Sequence, residues 1–432
     1  MLTLLAFGMV ATFMTLIMSG RVSALVALVI TPIVFGLVSG FAPQLGAMML
    51  EGIRSLAPTG VMLLFAILFF GLMVDAGLFD PLVRLIVRVV HGDPVRVIVG
   101  SAVLALLVSL DGDGSTTYII CVSAMLPLYR RLGLNPLILA CILMLACGIT
   151  NITPWGGPTA RAASALNLSP GDLFVPMIPA MLVAALCVLA FAWILGRRER
   201  KRIGLLQASD AQLTEELVGA NDPTERPKLL PVNLALTLAL LAGLVIGVLP
   251  LPVLFMIAAA AALVINYPDL AMQKARIAHH APNILAVVAL IFAAGVFTGI
   301  LNGTGMTDAM AGSVVRILPP AVGPYMAPIT ALLSIPFTFF ISNDAFFFGV
   351  LPILAEAGSQ YGVAPEEIAR AALTSQAVHL LSPLVPSTYL LVGLVERDLA
   401  QHQRFTIGWA VLLSLVMLVA GLLFGVIPLT GG

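Results

Sequence analysis

Residues 110–117 read LDGDGSTT and lie between two strongly apolar runs. Asp111 and Asp113 alternate with Gly112 and Gly114, and the hydroxyls of Ser115, Thr116 and Thr117 follow. Carboxylate and hydroxyl oxygens are the ligands that hard divalent cations such as Mg²⁺ and Ca²⁺ take. A carboxylate in apolar surroundings also holds a proton more readily than one in water. The glycines permit a tight turn that brings backbone close to a ligand. A calcium-binding EF-hand loop is excluded. That pattern needs an acid or amide at its fifth position, Gly at its sixth and Glu at its twelfth, where this chain has Ser115, Thr116 and Val122.

A second polar break, Ser342-Asn343-Asp344, interrupts another apolar stretch. An ionised Asp near a bilayer centre costs about 2.5–3.5 kcal/mol on insertion scales, so Asp111, Asp113 and Asp344 are candidate functional acids. The plainer alternative places these tips at an interface with their acids merely solvated. Two further breaks carry paired prolines, the first with glycines between them. TNITPWGGPT, residues 150–159, cannot be continuous helix, because Pro154 and Pro158 lack donors and Gly156 and Gly157 weaken what remains. Pro383 and Pro386 do the same in SPLVPST, residues 382–388. Backbone groups freed at membrane depth must line a cavity or be buried in protein. The half-helix that restarts after each break presents N–H groups and partial positive charge to an anion.

Three side chains near the breaks are ambiguous on sequence alone. His379 lies four residues before Pro383 and reads either as a satisfied core histidine or as a proton carrier. Arg161 follows the first break and reads as an interfacial arginine or as a carboxylate anchor. Trp155 reads as packing or as a ligand platform. Hydroxyls and helix dipoles at two equivalent breaks suit an oxyanion. Three acids against one arginine would repel a naked trianion, so the charges balance best if an anion arrives with a divalent cation or if protons bind the carboxylates.

Membrane helices hold these breaks in place. The chain has 432 residues, of which 60% are hydrophobic and 10% charged, and its mean hydropathy is +1.09. Soluble domains carry about 25% charged residues. Apolar runs near the length needed to cross about 30 Å of hydrocarbon recur from end to end, and the first, residues 2–19, lacks a basic leader and reads as a transmembrane helix. No P-loop or dinucleotide fingerprint is present, which argues against transport driven by the chain's own ATP hydrolysis, and nothing points to nucleic acid. Cys121, Cys141, Cys147 and Cys187 lie in apolar runs without metal-ligand spacing and read as inert thiols.

The two halves repeat. Asp80 and Arg88 correspond to Asp308 and Arg316 at an offset of 228, and TPWGGPT, 153–159, corresponds to SPLVPST, 382–388, at an offset of 229. In the first half, residues 1–196, spans are expected near 2–20, 22–41 and 58–78. An amphipathic piece at 79–92, short arms at 95–129, an interrupted helix at 135–167 and a span at 172–196 complete it. Residues 197–230 read as a cytoplasmic linker. The second half, 231–428, has spans near 231–249, 251–267 and 282–302, then an amphipathic piece, arms at 321–358, an interrupted helix at 365–395 and a last span. The fold class is therefore an all-α polytopic membrane protein of two repeats, each with five transmembrane helices and one re-entrant hairpin. Five is odd, so the repeats are inverted, a secondary-transporter pattern. With RRERKR, 197–202, placed inside, 17 Lys and Arg fall on the inner side and 4 on the outer, which agrees with the positive-inside rule. Both termini are then outside a cell (inner or plasma) membrane.

LDGDGSTTY, ITPWGGPTARAASAL, SNDAFFFGVLPILAE and TSQAVHLLSPLVPSTYLLVGL together resemble the citrate–metal–proton symporter family (CitMHS) of the ion transporter superfamily, over residues 1–428. The resemblance implies a secondary transporter and not an enzyme. It would import citrate complexed with a divalent metal of Mg²⁺ or Ca²⁺ type as co-substrate, in symport with protons, and no permanent cofactor is expected. It implies a homodimer with an elevator motion in the lipid bilayer. Carried over by position, one substrate cluster is Ser109 through Ser115, Thr116 and Thr117 with Thr150, Asn151 and Thr153, joined by Gly156, Gly157 and Arg161. The other is Ser342, Asn343, Ser382, Ser387 and Thr388. Metal or protons fall to Asp111, Asp113 and Asp344, with His379 as a proton relay. Sodium-using relatives carry Ser-Asn-Thr tips, so Asp-Gly-Asp-Gly-Ser here fits proton or metal coupling. A cation/proton antiporter or another anion permease on the same fold is the alternative, and a sensor or channel would call for a partner domain beyond the 34-residue linker.

Overall fold

A computed structural model describes residues 2–19, 21–90, 93–112, 114–203, 226–246, 249–317, 321–383 and 385–431. Every regular element among them is helical. The first half runs α1 (Leu2–Met18), α2 (Ala24–Val38), α3 (Leu45–Asp75), α4 (Asp80–Val90), α5 (Pro94–Val108), α6 (Gly114–Arg131), α7 (Pro136–Thr150), α8 (Gly157–Leu166) and α9 (Pro170–Ile203). The second runs α10 (Leu230–Ile246), α11 (Leu251–Asn266), α12 (Leu270–Gly303), α13 (Met306–Ile317), α14 (Met326–Phe340), α15 (Leu351–Ser359), α16 (Pro365–Leu373), α17 (Gln376–His379), α18 (Pro386–Leu394) and α19 (Leu399–Leu423). The same order of elements thus occurs twice, with α16 and α17 together standing where α7 stands in the first half.

Local chemistry sets several starts. Asp93 before Pro94 accepts the Val95 N–H at 3.0 Å, and Asn135 before Pro136 accepts the Leu137 N–H at 3.0 Å. A side-chain cap followed by proline at the first helical position is a strong start signal. Asp269 caps α12 through the Met272 N–H at 3.0 Å. Glu367 reaches back to the Ala364 N–H at 2.9 Å and closes the start of α16. In α10 and α11, Asn233 and Asn266 exchange side-chain hydrogen bonds of 2.8 and 2.9 Å, so two buried amides satisfy each other.

Three expectations need correction. The spans expected at 58–78 and 282–302 begin earlier, because α3 and α12 run unbroken through Pro58 and Pro282 for 31 and 34 residues. Membrane helices tolerate an interior proline when neighbours satisfy the freed carbonyl. The basic stretch expected to open the linker is helical to Ile203, and Glu199 holds it by salt-bridging Arg202 at 2.6 Å and accepting the Asn135 N–H at 3.1 Å. The remaining linker residues 204–225 lie outside the described residues. Seven described segments are long and apolar enough to span a membrane, and they include Pro94–Asp111 and Gly323–Phe340. The first arm of each expected hairpin is therefore among the segments of spanning length.

Helices α3 and α12 pack backbone to backbone. A methyl group on Gly52 would lie within van der Waals radius of the Gly295 carbonyl oxygen, and one on Gly299 would do the same at Met48. Gly295, Gly299 and Gly303 recur every fourth residue, the small-residue spacing that lets membrane helices approach closely. The buried apolar side chains form two principal clusters. One joins residues of α1–α3 and α10–α12, among them Phe13, Phe69, Phe255 and Phe297. The other joins α5–α7, α9 and α14–α19, among them Tyr118, Met144, Phe346 and Leu413. Trp155 of the first break, Ala160 and Ala165 of α8, and Phe348 and Ile353 of the second hairpin belong to the first cluster, and the spans α9 and α19 to the second, so each cluster joins outer spans to hairpin or interrupted-helix residues.

Candidate functional site

The first tip is braced by the first break. Residues 109–111 form a 3-10 turn that ends at Gly112, whose φ of +82° is a left-handed value that only glycine adopts cheaply. A Cβ there would meet Trp155 Cδ1 at 2.6 Å. Trp155 Nε1 donates to the Leu110 carbonyl at 2.9 Å, and its ring stacks with Phe70 and Phe255. Of the two readings of Trp155, the structure gives it packing and a hydrogen bond to the tip. Thr150 Oγ1 donates to Ser109 Oγ at 2.8 Å across the same junction. Asp111 is 8% exposed, so it is not a solvated interfacial acid. Asp113 lies outside the described residues.

The second tip is built in parallel. Thr338 Oγ1, near the end of α14, donates to Ser375 Oγ at 3.3 Å, between α16 and α17 of the second interrupted helix. Asn343 Nδ2 donates to Gln376 Oε1 at 3.3 Å. Ser342 Oγ accepts the Ala345 N–H at 3.1 Å. Asp344 then leads into a π-helical turn, Ala345–Val350, whose three phenylalanines are fully buried. Single π turns inside helices cluster at functional sites. His379 Nδ1–H donates to the Thr338 carbonyl at 2.8 Å, which leaves Nε2 as its remaining ring nitrogen.

Each break is also laced across itself. Thr159 Oγ1 donates to the Ile152 carbonyl at 2.8 Å, and Thr388 Oγ1 donates to the Leu380 carbonyl. These threonines occupy positions 229 apart. In both breaks a hydroxyl on the restarting half-helix satisfies a carbonyl the interrupted half left free. Gly156 sits at the N-terminal end of α8, where a Cβ would lie 2.0 Å from the Asn151 carbonyl oxygen.

The halves meet at the tips. Arg161 Nε, on α8 of the first half, donates to Asp344 Oδ1 of the second at 2.5 Å. On the other side, a methyl on Gly114 would lie 3.8 Å from Ser387 Oγ at the start of α18. Each tip therefore faces the restarting half-helix of the opposite half. Around this junction four buried polar atoms have no hydrogen-bond partner among the described residues: Thr117 Oγ1, Thr153 Oγ1, Asn343 Oδ1 and Gln376 Nε2. A buried polar group left unpaired costs about 1–3 kcal/mol, so these atoms are suited to a polar ligand.

The comparisons with known proteins agree with this architecture. The citrate transporter family model (CitMHS) matches residues 9–375. The chain belongs to the citrate transporter family. A citrate transporter of Bacillus subtilis (strain 168) is 56% identical over 427 residues, 99% of this chain and 100% of its own length. A Mg(2+)/citrate complex secondary transporter of the same organism is 52% identical over 432 residues, the full length of both. Among solved structures, the Neisseria gonorrhoeae protein MtrF, described within a class of antimetabolite efflux pumps, superposes with a TM-score of 0.64 over 92% of this chain and 87% of its own, at 16% identity. The Alcanivorax borkumensis YdaH transporter gives 0.56 over 90% and 88%, at 15% identity. These two share the fold.

As a member of the citrate transporter family the chain is a multi-pass membrane transporter rather than an enzyme. Of the residues singled out in the sequence, Ser109, Asp111, Ser115, Thr116, Thr117, Thr150, Asn151, Thr153, Gly156, Gly157, Ser342, Asn343, Asp344, Ser382, Ser387 and Thr388 fall on the tips and breaks just described, with Arg161 and His379 beside them. Arg161 is engaged by the Asp344 carboxylate. Thr388 and Thr150 spend their hydroxyl protons inside the protein. Sequence reasoning missed Thr159, Thr338, Ser375 and Gln376. The 229-residue offset that links Thr159 to Thr388 was the signal for the first of these.

Proposed function

We propose that this chain imports citrate as its complex with a divalent metal ion, in symport with protons. The observation that carries the reading is the Arg161–Asp344 pair, a cation and an acid from opposite halves held 2.5 Å apart at the junction of both tips and breaks. Each group is the partner one component of the cargo needs. A citrate carboxylate replaces Asp344 at Arg161, and the divalent ion replaces Arg161 at Asp344. Free citrate would leave Asp344 facing a trianion. Free metal would leave Arg161 facing a dication. Only the complex exchanges both partners at once, which gives a physical reason for carrying the two together.

Asp111 and Asp113 supply further oxygens for metal or protons, and His379 Nε2 a place for a relayed proton. Thr117, Thr153, Asn343 and Gln376 offer hydrogen bonds to the remaining carboxylate and hydroxyl oxygens. The names of the two Bacillus relatives support citrate, and one supports its Mg²⁺ complex. Oxygen ligands also suit Ca²⁺, so the metal is of the hard divalent class. The recurrence of element order supports two inverted repeats, with both termini outside the cell membrane. The resemblance to the citrate–metal–proton symporter family supports a fixed scaffold and a moving transport part, working as a homodimer.

The test is uptake of labelled citrate into proteoliposomes under an inward proton gradient, with Mg²⁺ or Ca²⁺ added in turn and a chelator control. Uptake is expected to need a divalent ion and to collapse with the gradient. Uptake indifferent to chelator would remove metal from the cargo. Cation–proton exchange without citrate would establish the antiporter reading instead.

A further inference from the structure

We propose that Asp75, His279 and His280 form a binding site for a late first-row divalent cation such as Zn²⁺, separate from the cargo site, that clamps α3 to α12. One ligand atom from each of the three residues lies within 4.8 Å of the others. Asp75 is the last residue of α3, and both histidines lie in the first third of α12, so the site joins two long helices, one from each half.

The geometry is close to that of a ligated ion. His280 Nε2 stands 2.8 Å from Asp75 Oδ2. Two ligands bound at about 2.0–2.2 Å in a tetrahedral site stand about 3.3 Å apart, so an ion replaces the proton shared by this pair with a shift of about half an ångström. His279 completes the set by a side-chain rotation, since its residue is exposed and its ring already lies edge-on to His280 at 4.9 Å between centroids. The position of His280 is built into the helix contact. Its ring lies over Gly71, where a Cβ would come within 2.6 Å of the ring atoms Cε1 and Nδ1. Asp75 and His280 are only 13% and 12% exposed at the side chain, which places these ligands in a partly desolvated setting.

Two imidazoles and one carboxylate are the donors that Zn²⁺, Co²⁺ and Ni²⁺ favour. Mg²⁺ and Ca²⁺ take oxygen ligands and do not compete here, which sets this site apart from the oxygen-rich tips. The opposing group is Arg276, whose Nη1 lies 3.4 Å from the same Asp75 oxygen. It neutralises the carboxylate when no ion is bound and repels an ion that enters.

The experiment is calorimetric titration of the purified full-length protein with ZnCl₂ in citrate-free buffer, with Co²⁺ absorption spectra as a report of imidazole ligation. One Zn²⁺ per chain is expected at this site, lost in D75N and H280A and weakened in H279A, whose parent side chain is exposed and whose loss leaves folding intact. R276Q is expected to bind about three- to tenfold more tightly, because a cation near the ion is removed. That gain of affinity cannot come from misfolding. D344N, at the cargo site, is expected to keep the Zn²⁺ affinity of the parent, so failure of the metal–citrate reading leaves this result intact. No saturable binding, binding unchanged in both H279A and H280A, or weaker binding in R276Q would overturn the proposal.

Discussion

Breaking the Arg161–Asp344 pair tests the cargo-exchange argument directly. With charge centres about 4 Å apart and an effective dielectric of about 20, the attraction is about 4 kcal/mol. The side chains are 24% and 17% exposed, so solvent screening and the desolvation already incurred reduce the net coupling to about 1–2 kcal/mol. Arg161→Gln, Asp344→Asn and the double variant form a cycle that isolates this term. Read as thermal unfolding in detergent without cargo, the single variants are each destabilised, and the double variant is expected to be more stable than their sum by about 1–4 °C. At saturating Mg²⁺–citrate the non-additivity is expected to shrink to within error, because the cargo has replaced the internal pair. In uptake assays both single variants are expected to lose transport. A coupling of the same size with and without cargo would show that the pair stays closed around bound substrate and would refute the exchange. Additive single variants in the cargo-free protein would refute the pair's energetic role altogether.

Three other substitutions probe the framework behind the tips. Gly156→Ala places a Cβ 2.0 Å from the Asn151 carbonyl oxygen, a backbone clash that is expected to cost about 3 kcal/mol and to abolish uptake, checked by thermal unfolding and proteoliposome transport. Thr388→Val removes the hydroxyl that satisfies the Leu380 carbonyl and is expected to cost about 1–3 kcal/mol. Thr388→Ser, which keeps the donor, should recover most of this, and equal loss in both would remove the hydrogen bond as the cause. Trp155→Phe keeps the aromatic stack and removes the Nε1 donor to Leu110, with an expected cost of about 1–2 kcal/mol and a fall in maximal uptake rate. An unchanged rate would mean that the tip is held without it.

What the sequence disclosed follows from how local its signals are. Asp111 and Asp344 were legible because a charge within an apolar run is costly wherever it points. The breaks were legible because clustered prolines, joined by glycines in the first, remove several helical hydrogen bonds at once, and α7, α8 and α18 begin and end close to the expected limits, whereas α16 already stops at Leu373. The same signal misled at Pro58 and Pro282, where long helices pass straight through. Proline is a breaker only if the carbonyl it frees has no other partner, and that depends on packing that sequence spacing does not carry. The π turn after Asp344 had no signature at all, because its residues would build an ordinary helix equally well.

The pairing at the site was illegible for a further reason. Arg161 and Asp344 are 183 residues apart, and each has a nearer partner in any reading that treats the halves separately. Asp111 and Asp113 stand in the same half as Arg161, and His379 stands in the same half as Asp344. The observed crossing, with each tip against the other half's restarting helix, can be reached only when both halves are folded together. A cation from one half and an acid from the other then share one position, so neither half alone contains a site that is balanced in charge. This is also why the cycle of Arg161 and Asp344 variants is informative. Cargo that docks beside a closed pair would leave the coupling between two residues in different halves untouched. Cargo that takes the place of each partner abolishes their direct contact as it enters.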